Sequence, residues 1–165
     1  ICEGLVGSEM CIRDRHTNDA PSSITRLQNM GTPDYLISAA VTLILAQRLA
    51  RKTCPNCRVT DDSVTPKALA DFGFTIEQAS RAKVQKGEGC SQCKDSGYKG
   101  RMGIYEILSV SKPIKEAILK KATTPEIKEI AVNEGFRTMQ DMGRELILTG
   151  DLNFIEFDRV LSSEG

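Results

Sequence analysis

The sequence predicts an α+β fold that is mostly helical. Ser, Thr or Asp followed by Pro or an acid recurs ahead of apolar residues at helical spacing, which marks capped helices. Residues 102–110 are instead β-branched and aromatic and read as a strand. Residues 53–100 form a turn-rich segment with a pair of cysteines at each end.

Taken in order, Asp19, Ala20 and Pro21 open a short helix carrying Ile24 and Leu27 on one face, stopped by Gly31. Pro33 begins the next. There Leu36, Ile37, Ala40, Val41, Ile44 and Leu45 repeat as in a deeply buried helix, and polarity returns at Gln47, Arg48, Arg51 and Lys52. Thr65-Pro66 and Thr75 with Gln78 predict two small helices whose apolar faces are Ala68/Leu69 and Ile76/Ala79. That burial is too thin to fold the segment alone. After the strand come four helices. They are Pro113 to Lys121, Pro125 to Glu134 closed by Gly135, one capped by Thr138 with Met139, Met142 and Leu146 inward, and one capped by Asn153 and Glu156 with Phe157, Val160 and Leu161 inward. Met102, Met139 and Met142 read as core packing.

Composition narrows the function. The 165 residues, with 22 basic against 22 acidic and 40% apolar, describe one domain or one and a half with a real core. Zero net charge and 5% aromatic residues argue against nucleic acid as a partner, which calls for a basic face and stacking rings. The longest nearly apolar run, residues 35–46, falls short of the roughly twenty that a bilayer span needs. No signal for export opens the chain, so a reducing, cytoplasmic setting is expected. Six cysteines in that setting favour metal binding or redox chemistry over a disulfide framework.

Cys54-Pro55-Asn56-Cys57 and Cys90-Ser91-Gln92-Cys93 give two C-x2-C pairs, the four-thiolate pattern of a tetrahedral structural Zn2+. A two-residue gap lets one tight turn aim two sulfurs at one ion, and Gly87, Gly89 and Gly97 supply backbone freedom around the second pair. A redox dithiol, an iron–sulfur cluster or merely buried cysteines are the competing readings. Four thiolates leave no open position, so a catalytic zinc is not expected. Cys2 and Cys11 belong to neither pair.

Further motifs run in a fixed order: His16-Thr17-Asn18-Asp19-Ala20-Pro21, Thr25-Arg26-Leu27, Ala46-Gln47-Arg48-Leu49-Ala50-Arg51, the four cysteines, and Gly97-Tyr98-Lys99-Gly100-Arg101-Met102-Gly103-Ile104-Tyr105-Glu106. From His16 onward the chain resembles the type II secretion and type IV pilus assembly ATPases, most closely the pilus assembly branch. The resemblance implies the C-terminal part of a RecA-like P-loop ATPase core with an inserted zinc module and a C-terminal helical subdomain. It implies a parent protein that binds ATP and Mg2+, assembles as a homo-hexamer, and works at the cytoplasmic side of the inner membrane on a platform protein. His16, Thr17 and Asn18 correspond to a histidine box beside the nucleotide, although locally Asn18-Asp19 before Pro21 also reads as a capping turn. Gln47, Arg48 and Arg101 lie in family motifs with no assigned contact.

The expected organisation is residues 1–15 as foreign sequence, 16–53 as the end of the ATPase core, 54–100 as the zinc insertion, and 101–165 as a strand plus helical subdomain. Residues 47–53 and 102–108 are expected to be neighbouring strands, so that excising the insertion leaves the flanking helices folded. Arg48, Arg51, Lys52 and Arg58 read as a solvated helix end. The phosphate-binding G-x-x-x-x-G-K-[ST] motif is not found in the 165 residues, so this chain alone is expected to be inactive. Two other functions compete: a zinc-stapled adaptor binding protein or nucleic acid, and a thiol-disulfide oxidoreductase.

Overall fold

The computed structural model describes residues 19–82 and 84–161. Capping decides where the helices begin. Asp19 accepts the Ser22 amide at 2.8 Å and opens α1 (Ala20–Asn29), with Pro21 in its first turn. Helix α2 (Asp34–Ala40) follows Pro33 and ends where Val41 turns extended. The chain then runs as strand β1 (Leu43–Thr53), which pairs with β4 (Tyr98–Ser109). The deeply buried helix expected through Ile44 and Leu45 is therefore corrected. It stops at Ala40, and of its apolar positions Ile37 is buried while Leu36 and Leu45 are about half exposed. A short, nearly apolar run fits helix and strand alike, and the β-branched Val41-Thr42 pair together with a partner strand tips it.

Two compact units result. The first holds the described residues up to Ala46 together with Ile107–Phe136. In it α1 and α2 pack with α5 (Lys112–Leu119) and α6 (Thr124–Asn133) around Ile24, Ile37, Leu108, Ile114, Ile118 and Ile127. Ser111 caps α5, and the Thr123 amide and hydroxyl reach Glu126 to start α6.

The second unit holds Gln47–Glu106 and the chain from Arg137 onward. Its short strands β2 (Arg58–Thr60) and β3 (Gln85–Gly87) pair antiparallel, Arg58 opposite Gly87 and Thr60 opposite Gln85. Between them stand α3 (Pro66–Asp71) and α4 (Ile76–Arg81), capped by Thr65 and Thr75 as expected. Helices α7 (Met139–Leu148) and α8 (Phe154–Leu161) pack closely at Gly143, where any side chain would strike Leu161 and Phe157. Of the expected apolar faces Leu69 and Ala79 are buried, but contrary to expectation Ile76 points outward at 85% exposure, and phenylalanines add to the support of α3 and α4. Phe72 meets Phe154 edge-on at 4.9 Å and Phe157 at 5.8 Å, and Phe74 lies 6.4 Å from Phe157. Residues 54–97 thus borrow a core from α8, and excising them is expected to unsettle that helix, against the sequence expectation.

Among the described residues no helix is long and apolar enough to cross a membrane.

Candidate metal centre

Strand β1 delivers Cys54 directly after Thr53, and a tight turn through Pro55 and Asn56 returns Cys57. The β2–β3 pairing carries the chain back so that the Glu88 amide donates to the Cys57 carbonyl at 3.1 Å. A single turn of 3-10 helix, Ser91–Cys93, then presents the second pair. Leaving that turn needs left-handed backbone at Lys94, Asp95 and Gly97. Gly97 tolerates this without a Cβ penalty, and it also lies against Gly87 so closely that a methyl on either would meet the other's backbone. The Cys54 amide donates to the Gly97 carbonyl at 2.9 Å, which closes the nest.

The four sulfurs converge. Cys54 Sγ lies 3.9 Å from Cys90 Sγ, Cys57 Sγ 3.8 Å from Cys93 Sγ, and Cys90 Sγ 3.7 Å from Cys93 Sγ. All four ligand atoms fall within 4.8 Å of one another. A tetrahedron with metal–sulfur bonds of about 2.3 Å requires sulfur–sulfur edges of about 3.8 Å, so the arrangement fits a single ion. A disulfide needs about 2.05 Å, and all four cysteines are free thiols. Among the described residues the donor set is sulfur only, four thiols with neither His nor carboxylate.

Electrostatics prepares these thiols unequally. Burial raises Cys57, and hydrogen bonds with the neighbouring thiols add to this against the Gly89 amide, leaving it at about 12. Burial also opposes ionisation of Cys93, but the backbone amides of Cys90 and Gly97 outweigh it and bring that thiol down to about 6. The Cys90 amide stands 3.2 Å from Cys93 Sγ. The amides thus favour the thiolate at Cys93, and a cation shared among the four would displace the remaining protons.

Immediately outside the nest lies a group whose role the sequence did not disclose. Glu156 is fully buried, with Arg51 donating its amide to Oε1 at 2.8 Å and its guanidinium to Oε2 at 3.0 and 2.7 Å. Arg159 donates to the same carboxylate at 2.9 and 2.5 Å. Burial alone would raise this carboxyl; the two guanidinium groups and the Arg51 amide overcome it and hold it at about 2. The capping pair read at Asn153 and Glu156 is thus half corrected. Asn153 Oδ1 accepts the Glu156 amide at 2.8 Å, but the Glu156 side chain serves the arginines instead. The solvated helix end read at Arg48, Arg51, Lys52 and Arg58 is overturned as well, since Arg48, Arg51 and Lys52 stand on β1 and Arg58 opens β2. Arg48 donates to the Val160 carbonyl, Gln47 reaches the Tyr105 hydroxyl at 3.3 Å, and Arg101 is exposed on β4. His16, Thr17 and Asn18, with Cys2 and Cys11, lie outside the described residues.

Residues 7–159 match the family described as type II/IV secretion system protein. The chain belongs to that family. The match begins inside the stretch 1–15 that was set apart as foreign. Relatives include the type IV pilus assembly ATPase PilB of Thermus thermophilus, 38% identical over 90% of this chain and 16% of its own length. The PilB of Myxococcus xanthus is 37% identical over 82% of this chain and 24% of itself. The type II secretion system protein E of Klebsiella pneumoniae is 33% identical over 88% of this chain and 28% of itself. The chain therefore spans between about a sixth and about a quarter of the length of the pilus assembly relatives it matches. Membership of this secretion family agrees with the resemblance drawn from the motif order.

Proposed function

We infer that this chain is the C-terminal region of an ATP-hydrolysing motor for type IV pilus assembly or type II protein secretion. The observation that carries this is the family match over residues 7–159, with relatives named as pilus assembly ATPases and as secretion proteins E. The higher identity to the pilus assembly ATPases favours that branch. The parent protein binds ATP and Mg2+, forms a homo-hexamer and acts from the cytoplasm on an inner-membrane platform protein. In it His16, Thr17 and Asn18 border the nucleotide.

The ion at Cys54, Cys57, Cys90 and Cys93 is Zn2+, favoured by the all-sulfur closed donor set. Zinc supplies a structural crosslink there. The amides of Cys90 and Gly97 stabilise the Cys93 thiolate, and the Gly87–Gly97 contact holds the two turns face to face.

The chain by itself is inactive. Triphosphate affinity in P-loop proteins comes mainly from the loop amides, its Lys and the Mg2+ ligands. His16 to Asn18 offer a hydrogen bond or two of about 1–3 kcal/mol each, against the roughly 8 kcal/mol behind micromolar binding. Calorimetric titration of the chain with Mg-ATP is expected to show no saturable binding below about millimolar concentration. Hydrolysis by the full-length parent, lost on His16→Ala, supports the reading. A parent that neither binds nor hydrolyses ATP overturns it.

A further inference from the structure

We propose that the metal centre works as a latch, its occupancy setting the docking of the C-terminal helix α8 through Arg51, Thr53 and Tyr98. This rests on the reading of the four thiols as a metal site. Three anchors of the segment 151–156 sit on the ends of the two strands that enter the nest. Thr53, directly before Cys54, donates its amide to the Asp151 carbonyl at 2.9 Å. Tyr98, directly after Gly97, accepts from Asn153 Nδ2 at 2.8 Å through its phenol oxygen. Arg51 lies with its guanidinium 4.0 Å from the centre of the Tyr98 ring while it grips Glu156. Asn153 passes the restraint on, since its Oδ1 holds the Glu156 amide in the first turn of α8.

The two strand ends are tied where the ion would sit, by the Cys54 amide on the Gly97 carbonyl. A shared cation fixes Cys54 and Cys93 on either side of that bond, and with them the spacing of Thr53 and Arg51 from Tyr98. Losing the cation leaves that spacing to the Cys54–Gly97 bond and the β1–β4 pairing alone, at the fraying ends of the two strands. A buried carboxylate tolerates little slack: without the three bonds from Arg51, Glu156 keeps only Arg159 of its own helix, and losing one partner of a buried charge costs far more than leaving a surface acid unpaired. The first turn of α8 then opens to water.

Hydrogen exchange on the full chain tests the latch, read before and after a strong chelator under reducing conditions and after Zn2+ is returned. Amides 153–157 are expected to exchange at least about tenfold faster in the stripped chain and to recover with Zn2+, while α6 in the first unit is unchanged. Tyr98→Phe, which keeps the ring and removes the phenol oxygen, is expected to speed the same amides several-fold with zinc content unaltered. Unchanged exchange at 153–157 in a chain that demonstrably gains and loses zinc overturns the latch and leaves the metal site standing. Equal loss of protection throughout the second unit also overturns it, since general unfolding needs no link. A chain that takes up no Zn2+ overturns the metal site and the latch together.

Discussion

The two units are held by different physics. The core of the first is aliphatic, with Ile24, Ile37, Ile114, Ile118 and Ile127 fully or almost fully shielded and Ser38 its one buried polar residue among those described. The second unit contains the other buried polar and charged groups, Thr53, Asp61, Glu106, Asn153 and Glu156, besides four converging thiols. Area-driven burial is indifferent to metal and nearly so to pH, whereas thiolates and a buried carboxylate depend on both. One short chain therefore contains a part whose stability depends little on metal and pH and a part whose stability is set by them.

The largest expected effect falls on the second unit alone. Structural zinc contributes about 10–16 kcal/mol of apparent folding free energy in zinc peptides. Cys57→Ser combined with Cys93→Ser is expected to abolish zinc binding and make residues 54–97 sensitive to limited proteolysis. The helices of the first unit should resist as before, and simultaneous cleavage in α5 or α6 would break the comparison. The reverse experiment is Ile118→Ala in the first unit. Emptying this fully buried site is expected to cost about 2–5 kcal/mol in denaturant unfolding with zinc content unchanged.

Acid sharpens the contrast next. Glu156 ionises at about 2 in the folded chain against an ordinary 4.5, so its contribution is complete above pH 4.5 and disappears as the pH falls from there toward 2. The shift corresponds to about 3 kcal/mol at neutral pH. The difference in stability between the wild-type chain and Glu156→Gln is expected to be of that size at pH 7 and to vanish near pH 2, and taking the difference cancels proton competition at the thiols. A gap that persists at low pH would mean that packing, not charge, is what the substitution removes. The smallest effect is a cap: Thr138 accepts the Asp141 amide at 3.2 Å, and Thr138→Ala is expected to lower stability by about 1 kcal/mol in thermal unfolding.

Local signals were legible in the sequence where one or two residues carry the physics. Asp19, Thr65, Thr75 and Thr138 each marked a helix start because an N-cap is a short-range hydrogen bond. The doubled C-x2-C marked the sulfur cluster because the spacing itself is the geometry. What escaped was set at long range. The helix-to-strand change after Ala40 depends on pairing with β4, far along the chain. Glu156 sits three residues after a good cap and is indistinguishable in sequence from a capping partner, yet Arg51 claims it from 105 residues away. Phe72 and Phe74 likewise gain their meaning only from Phe154 and Phe157.

The claim on which the comparison turns is that residues 54–97 fold around one ion. Metal analysis of the chain purified without chelator, paired with thiol titration, addresses it directly. About one zinc per chain is expected, with Cys54, Cys57, Cys90 and Cys93 unreactive until the metal is withdrawn. Substoichiometric metal with all four thiols freely reactive in a folded chain would contradict it.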